Sequence, residues 1–267
     1  MIFFFIVLIN LTSIKSIFYN NFKKTVGGKI VNNKYLFNYP KYIVNNKNTF
    51  IDVNNYKNPD KIITLAPSGL YGFYTYGIST VLKNRIDLDK YVINGVSSGS
   101  WNGLYLAYKG NDFTFNKNLL EADFNSCKNI IDFQIKMKNT ILNNYKITDF
   151  NTNKLFITVN GYHEKEMKTL FYTDFDNLED MVDCCIGSSN IPYISGDIIY
   201  NYRDILAFDG GFCENPYLID KSNSSFHVCR KTYGRYKDID NSFDLNINLM
   251  KLYENGVKDA KKNNLKL

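Results

Sequence analysis

The sequence predicts an α/β protein with a central, mostly parallel sheet and helices on both faces. Short apolar runs recur at 62–66, 91–94, 154–159 and 206–208, the first three carrying β-branched residues, each the length of a buried strand. Stretches with helical spacing lie between them. The first two runs lead straight into glycine-containing turns that open helices, which is the sequence form of a strand–loop–helix unit.

The chain has 267 residues, of which 45% are hydrophobic. That suffices for one large domain with a sizeable core. We place this domain at 59–262 and read residues 1–58 as an N-terminal extension. Residues 2–11 form an apolar run broken only by Asn10, too short to span a bilayer comfortably. Three readings stay open for residues 1–16: a secretory signal core with Ser13 or Ser16 near its cleavage point, a first buried strand, and an uncleaved membrane-associating stretch. Residues 12–58 are rich in Asn, Lys and Tyr without periodicity, and they read as irregular.

Along the domain, the strand at 62–66 runs into Pro67-Ser68-Gly69-Leu70-Tyr71-Gly72 and then into helical spacing over 74–82. This arrangement collects backbone N–H groups at a helix N-terminus, where they can stabilise an oxyanion. The Walker ending is absent, so the loop does not read as a nucleotide site. The strand at 91–94 runs into Gly95-Val96-Ser97-Ser98-Gly99, a Gly-x-Ser-x-Gly elbow followed by helical residues 100–108. Glycines flank such a turn because a side chain there would collide with the neighbouring strand or helix. Residues 119–142 read as helical, 178–186 as a helix opened by acidic residues, and 245–257 as an amphipathic C-terminal helix. The strand at 206–208 ends in Asp209-Gly210-Gly211. Residues 218–242 are polar and read as a surface excursion.

The formal charge of +6 comes from scattered lysines, which excludes a nucleic-acid stripe and permits weak attraction to anionic head groups. Five cysteines without Cys-x-x-Cys spacing and two histidines give no metal site, and we expect no metal or other cofactor. Cys213 and Cys229 are candidates for a bridge if the chain is secreted. The many asparagines look like a compositional bias without functional message.

Three separated pieces, a glycine loop, a serine elbow and an Asp-Gly-Gly turn, stand in the order found in the patatin-like phospholipases, which the sequence resembles over about residues 60–262. Secondary likenesses are Ser188-Ser189-Asn190-Ile191-Pro192 ahead of the aspartate strand, Asn215-Pro216 after it, and the helix containing Leu252-Tyr253-Glu254-Asn255-Gly256. The resemblance implies a three-layer α/β/α fold and a Ser97–Asp209 dyad. Asp209 would take the Ser97 proton, and Ser97 would attack a fatty-acyl ester to give an acyl-enzyme. The implied substrate is a phospholipid or other acyl lipid at a membrane or lipid-droplet surface. Two departures stand out. Pro67 replaces the first loop glycine and supplies no N–H, and Tyr71 stands where many members carry arginine. The oxyanion donors would then be the N–H groups of Ser68 and Gly69, with Leu70 a third, while Pro67, Gly72, Gly95, Gly99, Gly210 and Gly211 shape the motifs.

Two alternatives remain. Ser97, Asp209 and His227 also follow the chain order of an α/β-hydrolase triad with histidine as base. The altered loop also fits a patatin-like fold kept for lipid or partner binding with impaired catalysis.

Overall fold

A computed structural model describes residues 39–57, 59–196, 199–219, 223–237 and 242–265. Its strands are β1 (Lys41–Val44), β2 (Phe50–Asp52), β3 (Ile62–Leu65), β4 (Val92–Val96), β5 (Leu155–His163), β6 (Glu166–Tyr172), β7 (Asn201–Tyr202), β8 (Ile205–Asp209) and β9 (Phe226–Val228). Its α-helices are α1 (Gly72–Lys83), α2 (Ser98–Ala107), α3 (Asp112–Leu120), α4 (Ile130–Asn144), α5 (Leu178–Ser188) and α6 (Leu249–Lys262). The fold is α/β, with a mostly parallel central sheet flanked by helices.

The sheet runs β2-β1-β6-β5-β4-β3-β9, with β8 on β5 and β7 on β8. Its centre, β9-β3-β4-β5, is parallel throughout. β3 is buried at all four positions, as a parallel strand covered on both faces must be. β6 and β8 join β5 antiparallel. Tight hairpins connect β5 to β6 and β7 to β8: Glu164 and Lys165 form the first turn and Arg203 and Asp204 the second, all four at positive φ. Such two-residue turns match the twist of the strands they join.

Four expectations change. Residues 41–52 are not irregular: β1 lies parallel to β6 inside the sheet, and β2 edges it. The polar segment 218–242 contributes β9, which pairs with β3 because its backbone completes that strand's open edge. The helical stretch 119–142 is divided, α3 ending at Leu120 and α4 beginning at Ile130. Finally, the asparagines do structural service, since Asn111, Asn129, Asn177 and Asn248 each cap a helix by accepting a backbone N–H through the side chain. The apolar run 2–11 lies outside the described residues. No helix among the described residues is long and apolar enough to cross a membrane. Cys213 and Cys229 are both free thiols.

α6 is clamped to α1. Gly77 and Gly256 face each other so closely that a Cβ on Gly256 would lie 3.1 Å from the Gly77 Cα. Arg235 grips the Asp259 carboxylate through two nitrogens at 2.6 and 2.7 Å, and the Tyr74 hydroxyl donates to the same group at 3.0 Å. A buried carboxylate needs such partners to offset its lost hydration.

Candidate active site

β4 and β8 arrive at one point from opposite directions. β5 gives one edge to β6. Along its other edge β4 pairs in parallel up to Val96 opposite Thr158, and β8 pairs antiparallel up to Asp209 opposite Val159. The carboxyl ends of the two strands therefore meet head to head. Ser97 follows the tip of one, and Asp209 is the tip of the other.

Ser97 sits at φ 55° and ψ −127°, a backbone state that costs a non-glycine residue free energy and must be held by its surroundings. Its N–H donates to Ser188 Oγ at 2.8 Å, and that hydroxyl donates to the Thr158 carbonyl at 2.6 Å. Its carbonyl accepts from the N–H of Ser100 at 2.8 Å and from Ser100 Oγ at 2.6 Å. The flanking glycines admit the turn. A Cβ on Gly95 would stand 2.6 Å from the Gly99 carbonyl oxygen, and one on Gly99 would overlap the Leu65 carbonyl of β3.

Ser97 Oγ donates to Asp209 Oδ2 at 2.6 Å, and both residues are buried. Asp209 Oδ1 accepts the Gly211 N–H at 2.7 Å. Burial pushes the Asp209 carboxyl up to about 6, while the bonds from Ser97 and Gly211 pull in the other direction. A carboxylate so placed is a stronger base than its ordinary form and is still ionised at neutral pH. The aspartate is positioned by the Asn190 carbonyl, which accepts the Asp209 N–H at 2.8 Å. Pro67 packs against the turn beyond it, its ring carbons 3.2 Å from where a Gly211 Cβ would be.

The donor loop differs from expectation. The Ser68 N–H donates to Ser98 Oγ at 2.9 Å, tying the loop to the elbow. The Leu70 N–H donates to the Ser242 carbonyl at 2.8 Å. Both N–H groups are thus occupied by partners within the protein. Gly69, at φ 54°, remains: its N–H makes no hydrogen bond to another described residue, and the residue lines the cavity in front of Ser97. A second backbone N–H beside the cavity was not singled out in the sequence. Ser98 is the first residue of α2, where N–H groups have no acceptor within the helix, and it lines the same cavity. The signal was available, since the residue after an elbow nucleophile ordinarily supplies an oxyanion N–H.

His227 is not part of this cluster. It lies on β9, and its Nδ1 pairs with Thr64 Oγ1 at 2.7 Å. The direct Ser97–Asp209 contact leaves no place for an imidazole between them. Tyr71, which stands where the resemblance leads one to expect arginine, packs its ring on Tyr236 at 5.0 Å.

In front of the pair opens an apolar cavity of about 80 Å³, reaching between α1, α2, α3 and α4. Leu104, Phe115, Leu119, Phe133, Met137 and Ile141 form most of its depth, with Gly69, Ser98 and Phe243 around the polar end. No protein-family model matches the chain, and no curated protein matches it. Among the described residues no group of three or more His, Cys, Asp or Glu side chains is placed to hold a metal ion.

Proposed function

We propose that the protein is a serine lipid acyl hydrolase of patatin-like type, cleaving fatty-acyl esters as a phospholipase A or lysophospholipase does. The observation that carries this reading is the buried 2.6 Å contact between Ser97 Oγ and Asp209 Oδ2 at the polar end of an apolar cavity. A hydroxyl bonded to a base of raised pKa is an activated nucleophile, and an apolar chamber beside it accepts a hydrocarbon chain.

In this mechanism Asp209 Oδ2 accepts the Ser97 proton as Oγ attacks the ester carbonyl carbon. The negative oxygen of the tetrahedral intermediate is held by the N–H groups of Gly69 and Ser98. On collapse the C–O bond to the alcohol breaks, and Asp209 returns the proton to the leaving oxygen. Water then attacks the acyl-enzyme with Asp209 again as base, releasing the fatty acid and restoring the Ser97 hydroxyl. No histidine is required. The substrate would be drawn from a membrane or lipid-droplet surface, and the dyad needs no cofactor.

A second reading is favoured by the loop itself. With the Ser68 and Leu70 N–H groups occupied, fewer loop donors face the carbonyl than the sequence offers, and each lost donor costs on the order of a hundredfold in rate. The fold would then bind lipid without turnover. Purified protein assayed on a short-chain nitrophenyl ester and on labelled phosphatidylcholine, beside Ser97→Ala and Asp209→Ala, decides between the two. Turnover lost in both folded variants supports the hydrolase. Lipid binding by a wild type as inactive as the variants would replace it with the binding role.

A further inference from the structure

The cavity is not only apolar but measured. α2 starts at the nucleophile and forms one wall, so positions along it mark depth from Ser97. At ~1.5 Å per residue, Leu104 lies ~10 Å down from the serine. Just beyond that level Phe115 closes the end. Its ring, 2% exposed, packs on Tyr105 and Tyr108 of the last turn of α2 and its cap, at 5.2 and 4.9 Å.

What lies behind Phe115 does not yield. The Lys83 ammonium donates to the carbonyls of Tyr105 and Tyr108 at 3.0 and 2.6 Å and pairs with Asp112 at 2.8 Å. Tyr145 stacks on the Phe115 ring at 5.0 Å and meets the Tyr108 ring edge-on at 5.1 Å, so the three rings pack as one cluster. A floor backed by a partly buried ion pair and three tyrosines is stiff, because opening it would expose charge to hydrocarbon.

We infer that Phe115 and Leu104 form a ruler that selects acyl chains of medium length. The inference rests on the acyl-hydrolase reading for its substrate class. A long acyl chain spans about half of a ~30 Å hydrocarbon core, or ~15 Å, so a ~10 Å channel holds about two-thirds of it, roughly ten carbons. Longer chains leave their ends outside or fail to bring the carbonyl to Ser97.

The test uses the full-length protein and nitrophenyl esters with acyl chains from two to sixteen carbons, presented in one neutral detergent so that all share an interface. We expect kcat/KM to peak near ten carbons and to fall about tenfold or more by sixteen. Leu104→Phe fills the channel and moves the peak to shorter chains, and Phe115→Leu moves it to longer ones. A profile that rises steadily to sixteen carbons, or peaks that stay in place in both folded variants, overturns the ruler. Binding of free fatty acids of the same lengths, measured by displacement of a fluorescent fatty acid from Ser97→Ala, reads the channel without catalysis. An affinity peak near ten carbons in a protein that hydrolyses nothing would keep the ruler and sink the hydrolase. Length-independent affinity would sink the ruler even in an active enzyme.

Discussion

Ser97 and Asp209 touch because their strands end against adjacent residues of β5, Val96 opposite Thr158 and Asp209 opposite Val159. The two residues are 112 positions apart in the chain and 2.6 Å apart in space. A third residue guards that meeting. Ser188 accepts the Ser97 N–H and donates to the Thr158 carbonyl, so one hydroxyl joins the elbow to the strand on which both tips converge.

Ser188→Ala leaves a buried N–H and a buried carbonyl without a side-chain partner. We expect a loss of about 1–3 kcal/mol in stability by denaturant unfolding. Because the elbow loses its anchor, kcat should fall about tenfold or more while KM changes little.

Activity should depend on pH through Asp209. With its carboxyl held at about 6, the basic form is present above that value and lost below it. The kcat/KM of a soluble ester should therefore rise with pH and level off above about 6. A profile still rising between pH 7 and 8 would point to a base other than Asp209.

The same residue weakens the fold it serves. An acid raised from 3.8 to about 6 by folding binds more protons native than unfolded, so ionising it costs the native state. The cost is absent below the unfolded value near 4 and complete above about 6. Asp209→Asn should accordingly be inactive yet more stable than the parent at pH 8, by up to about 3 kcal/mol, with the difference vanishing near pH 4. Thermal unfolding at both pH values checks this.

His227→Ala should keep most of the ester hydrolysis, since its ring on β9 bonds Thr64 of β3 and does not stand between nucleophile and base. Loss of turnover in a folded variant would restore the histidine to the mechanism.

Gly69→Ala combines a left-handed φ with a Cβ 2.5 Å from the Ser242 carbonyl oxygen. The loop must move, carrying its free N–H away from the cavity. We expect kcat to fall about a hundredfold with little change in KM, read by steady-state kinetics on the nitrophenyl ester.

Much of this was legible in the chain. The apolar runs marked β3, β4 and β8 because buried parallel and central strands are apolar on both faces. The elbow was legible because a turn that tight admits only glycine at Gly95 and Gly99, and Asp209 was legible because a glycine pair follows it. Other elements left no such trace. β6 follows β5 through Glu164-Lys165 and β7 leads into β8 through Arg203-Asp204, and neither turn has the glycine that announces a hairpin. β1 and β9 are short segments in polar surroundings, and pairing with β6 and β3 makes them strands.

The sequence by itself singled out the serine elbow, the Asp-Gly-Gly turn and the glycine loop, since these are matters of residue type and local backbone. Only the tertiary structure decided who meets whom. Ser68 and Leu70 looked like donors until Ser98 and Ser242 took their N–H groups, and His227 looked like a base until β9 placed it beside Thr64. Hydrogen bonds and burial depend on partners far away in the chain, and a backbone N–H carries no mark of the acceptor that will claim it.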